Sequence, residues 1–310
     1  MDVLVTGATG FVGRRLVPAL LERGHEVTAL VRDANRYDGP TAVRVVEGDL
    51  LEPGSFAAAL DAEAAYYLVH SMRAGDDFEE HDRRASRNFA DAASGAPVER
   101  VIYLGGLGED RDDLSAHLRS RREVERVLGA GEYALTTLRA AIIVGEGGAS
   151  FEMVRQLATR LPVMVTPRWV HTPCQPIAVD DVVAYLVGVL DAPETAGETY
   201  EIGGPEVLTY AEILRRVGRQ AGVEPRILPV PVLTPRLSAY WIGLVSDVPT
   251  SVARPLVDGL KNPVVVRDER IRDLVSVDRT PFDEAVARAL GREAGPESDR
   301  ERRPTPDAQA

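Results

Sequence analysis

Glycines stand at positions 7, 10 and 13, behind the apolar run Val3-Leu-Val and ahead of the helical pattern Arg14-Arg-Leu-Val-Pro-Ala-Leu-Leu21. At that spacing Gly7 permits a sharp exit from a strand, Gly10 lets the backbone approach a pyrophosphate, and Gly13 lets a helix lie close on a sheet. Unpaired amides and the positive end of the helix dipole then face the phosphates. The chemistry is dinucleotide binding, with Thr6, Gly7, Thr9, Gly10, Phe11, Val12 and Gly13 as the cradle. A merely structural glycine turn is the alternative, and the strand-to-helix setting argues against it.

Which dinucleotide is bound depends on the end of the second strand, where an acid holds a ribose 2′-hydroxyl and an arginine accommodates a 2′-phosphate. In Leu30-Val31-Arg32-Asp33 the last strand position carries no carboxylate and Arg32 follows, which favours NADP. Asp33 could instead meet the hydroxyl, so NAD stays open. Arg14, at the helix start, is a second candidate for the phosphate.

A further reactive pair, His117 and Arg121, lies four residues apart in a helical pattern over 114–128. An imidazole that titrates near neutrality can pass a proton. Arginine keeps its proton, so Arg121 can hold a ribose but cannot relay. Tyr67 and Tyr103 are donors by type, but both alternate within buried strands and are expected to pack. Ser150-Phe-Glu-Met153 and Trp169-Val-His171-Thr172 flank proline-rich loops over the carboxyl ends of the strands, where ligands bind in such sheets.

The elements that must position these groups alternate. Apolar runs at 27–31, 43–46, 64–69, 98–104 and 133–144 are separated by helical patterns at 55–60, 76–93 and 114–128. This predicts an α/β fold, a doubly wound parallel sheet covered on both faces. Beyond it, Pro162, Pro167, Pro173 and Pro176 argue for loops and short extended pieces rather than long helices. A helix over 180–190 capped by Asp180, a strand over 199–202, and a helix opened by a Thr209/Glu212 capping box follow.

The expected division is an NAD(P)-binding domain at 1–165, its sheet completed by segments at about 175–205, and an interleaved substrate lobe at 166–294. A charged, aromatic-free tail at 295–310 is expected to be disordered. The stretch 233–248, with Tyr240, Trp241, Ile242, Leu244 and Val245, could line an apolar substrate pocket or contact a membrane surface or protein complex. Core packing is the plainer alternative.

Composition narrows the classes. A net charge of -12 argues against a nucleic-acid partner. Cys174 is the only cysteine, which excludes an intrachain disulfide, and no metal site is expected. Neither an apolar run of membrane-spanning length nor a signal-peptide pattern is present, so a soluble, cytoplasmic protein is expected.

Thr6-Gly7-Ala-Thr-Gly10-Phe-Val-Gly13, Gly48-Asp49-Leu50, Leu138-Arg139-Ala140 and Gln175-Pro-Ile-Ala-Val-Asp-Asp-Val182 together resemble the extended and atypical short-chain dehydrogenase/reductase superfamily. The chain is most similar to the atypical NAD(P)-binding branch that includes NmrA-like regulators and the nucleotide-binding accessory subunit of respiratory complex I. The resemblance spans roughly residues 1–290. It implies that Asp49 and Leu50 lie against the adenine, and that the loop 68–72, with Leu68, Val69 and His70, passes the nicotinamide-side ribose. Asp49 could equally be a turn residue after Gly48.

One departure matters. Working reductases of the superfamily use a serine after the fifth strand and a tyrosine four residues before a lysine. Here Gly105 replaces the serine, His117 and Arg121 stand at the pair's spacing, and Lys261 is the only lysine in the chain. Two readings follow. One is an NADP(H)-dependent oxidoreductase acting on an apolar carbonyl or quinone-like substrate, with His117 as proton donor and Arg121 as ribose clamp. The other is a non-catalytic NAD(P)-binding sensor or accessory subunit. A sugar-nucleotide epimerase is disfavoured, because it too needs the tyrosine-lysine pair.

Overall fold

The structure, a computed structural model, describes residues 1–71, 77–108, 114–161, 163–166, 168–229 and 259–292. The chain runs β1 (Asp2–Thr6), α1 (Gly13–Glu22), β2 (Glu26–Val31), β3 (Arg44–Glu47), β4 (Ala64–Tyr67), α2 (Phe78–Ser94), β5 (Arg100–Gly106), α3 (Ala116–Leu128) and β6 (Ala134–Ala140). It continues through β7 (Ile143–Val144), α4 (Ala149–Arg160), β8 (Val163–Thr166), β9 (Pro173–Cys174), β10 (Ile177–Ala178), α5 (Val179–Asp191) and β11 (Thr199–Ile202). β12 (Leu208–Thr209), α6 (Tyr210–Gln220), β13 (Arg226–Pro229), α7 (Ile271–Leu274) and α8 (Phe282–Ala289) complete it.

Seven strands form one sheet in the order β11-β6-β5-β4-β1-β2-β3. Every pairing in it is parallel. The winding reverses between β1 and β4, and the carboxyl ends of those two strands bound the crevice where ligands bind in such folds.

Alternation along each strand supplies two cores. From β4, Tyr66 joins the face where Leu16 and Leu20 of α1 and Val182 and Leu186 of α5 pack. Tyr67 joins the opposite face, against Phe89 and Ala93 of α2 and Val124 and Leu128 of α3. The Tyr66 hydroxyl donates to the Leu186 carbonyl at 2.8 Å, pinning α5 to the sheet. A third core joins α4, α6 and α8 through Phe151, Leu157, Ile213, Val217, Phe282 and Val286, and meets the sheet domain at Leu107.

Three local expectations are corrected. The run 133–144 is two strands: β6 ends at Ala140, and Ile143 and Val144 turn away to pair with β10. The pattern over 55–60 yields only a single 3₁₀ turn, Ala57–Ala59. Asp180 does not cap α5: Ala178 holds that position, and Asp180 sits in the first turn, 3.4 Å from Arg288. The buried carboxylate is its neighbour Asp181, which accepts from the Thr280 amide and hydroxyl, each at 2.8 Å.

The Thr209/Glu212 capping box is present at the start of α6. Among the described residues no helix is long and apolar enough to cross a membrane. The stretch 233–248, the tail 295–310, Met72 and the Trp169 side chain lie outside the described residues.

Candidate nucleotide-binding and active site

The glycine turn is built as its spacing requires. Gly7 has φ +72°, and a Cβ there would lie 3.0 Å from the Leu68 carbonyl oxygen across the switch point. A Cβ on Gly13 would lie 2.2 Å from the Gly7 oxygen, a clash between backbone groups that no rotamer relieves. Gly10 is exposed, and its amide donates to Gly7 at 2.9 Å. Among the described residues the amides of Phe11 and Val12 have no acceptor, and α1 opens with no side-chain cap and no acid in its first turn. These orphan donors at a positive helix end fit a bound diphosphate.

Around the cradle the remaining side chains divide. The Thr6 hydroxyl is engaged by the next strand, donating to Tyr66 O at 3.0 Å and accepting from the Leu68 amide at 3.2 Å. Arg14 folds over the loop, with Nε and Nη2 donating to the Thr9 carbonyl at 3.2 and 3.1 Å. Phe11 sits against Gly145 and Gly148, where built Cβ atoms would approach its Cζ to 3.0 and 2.9 Å. Arg32 is exposed just beyond β2, with no hydrogen-bond or ion-pair partner among the described residues. Asp33 is occupied: its Oδ1 accepts from the Asn35 amide at 3.0 Å and caps a short 3₁₀ turn.

At the adenine side, Asp49 Oδ1 accepts from the Leu51 amide at 2.9 Å, so the turn role is present. Leu50 is buried, and its carbonyl accepts from Asn88 Nδ2 at 2.8 Å. After β4, Leu68 and Val69 are half-buried and His70 is exposed.

His117 and Arg121 lie on α3 beside the end of β5. His117 is half-buried, and its Nδ1 is enclosed without a partner. Burial, with Arg121 and His70 nearby, pushes the imidazole pKa down to about 3. The ring is therefore neutral at pH 7, which corrects the expectation that it titrates near neutrality. Arg121 is 7% exposed and pairs through Nη2 with Asp82, while its Nε has no partner. Its Cγ lies 3.4 Å from a Cβ built on Gly106.

Tyr67 and Tyr103 pack in the core, and burial raises both phenol pKa values, that of Tyr103 to about 12. The Tyr103 hydroxyl donates to the Arg121 carbonyl at 3.1 Å. His171 is exposed at the end of the turn Arg168–His171.

Sequence reasoning missed Asp82. It is 2% exposed and accepts from the Ser71 amide at 2.7 Å, from Ser120 Oγ at 2.8 Å and from Arg121. The available signal was positional: an acid standing within the buried stripe of Phe78, Ala85, Phe89 and Ala93 on α2.

A doubly wound sheet with an anion-ready glycine turn at its switch point defines a nucleotide-binding protein. Residues 7–156 match the NAD(P)H-binding family model. A 3-diazoavenalumate denitrifying reductase of Streptomyces sp is 30% identical over 280 residues, 78% of this chain and 88% of the relative. The ceramide reductase of Caulobacter vibrioides is 29% identical over 301 residues, covering 93% and 88%. Photosystem II assembly factor Ycf39 of Cyanophora paradoxa is 23% identical over 239 residues, covering 75% and 72%. The fold is shared with MoeE5, solved with UDP-glucose and NAD, at a TM-score of 0.69 and 20% identity over 94% of this chain and 98% of that one. The chain belongs to the atypical branch of the short-chain dehydrogenase/reductase superfamily, whose relatives here include NAD(P)H-dependent reductases.

Proposed function

We propose that the chain is a cytoplasmic, NADPH-dependent reductase of an apolar carbonyl or quinone-like substrate. The observation that carries this reading is the pair of unpartnered amides, Phe11 and Val12, at the mouth of the crevice between β1 and β4. Reduced nicotinamide, when bound, supplies the hydride.

The protein's part is positioning. The Gly7–Gly13 turn holds the diphosphate, and Leu50 with Asp49 flanks the adenine. Leu68, Val69 and His70 border the nicotinamide-side ribose, with Arg121 beneath them. Arg32 and Arg14 receive the 2′-phosphate, a role supported by the Arg32 guanidinium, which has no partner among the described residues, and by the engagement of Asp33 in its own turn. His117, neutral at pH 7, donates a ring N–H to the substrate oxygen as negative charge develops there, and the proton that completes the alcohol comes from water. The match to a ceramide reductase over 93% of the chain supports an apolar substrate.

A second reading, a non-catalytic accessory or sensor subunit, is favoured by the missing tyrosine-lysine pair and by the likeness to an assembly factor. Titrating the purified protein with NADPH and NADH by fluorescence, then offering apolar ketones and quinones and following reduced-nicotinamide absorbance, separates the two. Turnover supports the reductase. Tight binding without turnover of any acceptor establishes the second reading.

A further inference from the structure

Asp82 is an expensive residue to bury. A carboxylate removed from water loses several kcal/mol of solvation, and replacing a buried ion pair with apolar side chains is often neutral or stabilising. An apolar residue at this place in the α2 stripe would join α2 to α3 as Phe89 does on that face. An apolar side chain cannot accept hydrogen bonds from three donors on two chain segments at once.

Those donors come from the crevice walls. The Ser71 amide, at 2.7 Å, ends the segment that begins at Leu68, whose carbonyl lies against Gly7. Ser120 Oγ, at 2.8 Å, and Arg121 Nη2 come from α3, one turn beyond His117. The stem of Arg121 lies against Gly106, and the bond to Asp82 fixes its guanidinium and leaves its Nε unpartnered.

We propose that Asp82 is a positioning residue of the nucleotide site, whose carboxylate holds the 68–71 loop and the Arg121 side chain in one fixed relation on the nicotinamide side of the crevice. The inference rests on the nucleotide-site reading above. It predicts a selective defect: the loop and Arg121 border the nicotinamide half, so the adenosine half should bind as before.

The experiment measures dissociation constants for NADPH and for the adenosine half alone, 2′,5′-ADP or ADP, in Asp82→Asn and Ser71→Pro. The second variant removes the amide that Asp82 holds and keeps the carboxylate, while its ring also fixes φ at residue 71 and restricts residue 70, and it decides the matter should Asp82→Asn fail to fold. The expected result is NADPH weakened about tenfold, with the adenosine half within about twofold of wild type. Equal weakening of both ligands, the mark of a merely structural residue, overturns the proposal, as does no change in either. A wild-type protein that binds no nucleotide overturns the site reading itself and this inference with it.

Discussion

Arg15 Nη2 donates to the carbonyl oxygen of Glu146, 131 residues away in the chain, at 3.0 Å. The same guanidinium lies 4.9 Å above the Phe11 ring and donates through Nη1 to the Phe11 carbonyl at 2.9 Å. Phe11 fills the space left by Gly145 and Gly148, and α4 starts at the next residue. The diphosphate cradle and the first helix of the third core are therefore joined through one aromatic ring and one cation.

Gly148→Ala tests that joint. Its Cβ would press Cζ of the Phe11 ring at 2.9 Å, so the ring has to shift away from Gly148. The expected loss is about 1–3 kcal/mol in stability together with a severalfold weaker grip on nucleotide. Gly147→Ala is the comparison: φ is +84° with nothing within 4 Å, so strain should lower stability in urea unfolding and leave nucleotide affinity unchanged.

How much of this was legible follows the range of each signal. The strand-glycine-helix unit at 3–21, the strand at 199–202 and the Thr209/Glu212 box are encoded by residues a few positions apart, and each stands where expected. The split of β6 from β7 is set by a partner, β10, more than thirty residues on, which no local window contains. Asp180 and Asp181 are equivalent acids in sequence, and only Thr280 decides which one is buried. Asp82 acquires its role from Ser71 and Ser120, on two other elements, so the α2 pattern could mark it as odd without saying why. His117 and Arg121 were found by type and spacing, but the charge state of the imidazole depends on packing.

Arg32→Ala should discriminate between the two nucleotides. An exposed arginine with no protein partner among the described residues loses no structural bond on truncation, so stability should hold. A charge-assisted bond to a phosphate contributes about 1.5–3 kcal/mol, which corresponds to roughly ten- to hundredfold weaker NADPH binding with NADH unaffected. Fluorescence titration reads both, and equal losses for the two nucleotides would remove Arg32 from the 2′-phosphate site.

Thr280→Val should be a stability variant only. It removes the hydroxyl that donates to Asp181 at 2.8 Å and leaves a buried carboxylate with the Thr280 amide alone. An unsatisfied buried acceptor costs about 1–3 kcal/mol. Burial already raises the Asp181 pKa and the Thr280 bonds hold it down, so the variant should raise it further. Urea unfolding should show the loss, while NADPH affinity stays at the wild-type value.

His117 should leave a signature in acid. The unfolded ring titrates at the ordinary 6.5 and the folded ring at about 3, because burial, Arg121 and His70 all oppose the cation. Between those values the unfolded chain binds a proton that the folded chain refuses. Stability is then fully present above pH 6.5 and falls as the pH drops towards 3, with a slope from this residue of up to about 1.4 kcal/mol per pH unit. His117→Gln removes the titration and keeps a neutral amide, so its stability should fall less steeply than wild type between pH 6.5 and 4.5, the carboxylates common to both proteins cancelling in the comparison. Parallel urea-unfolding series decide the point: identical slopes in the two proteins would mean that the folded imidazole titrates as the unfolded one does, and the burial that holds its pKa down would have to be abandoned.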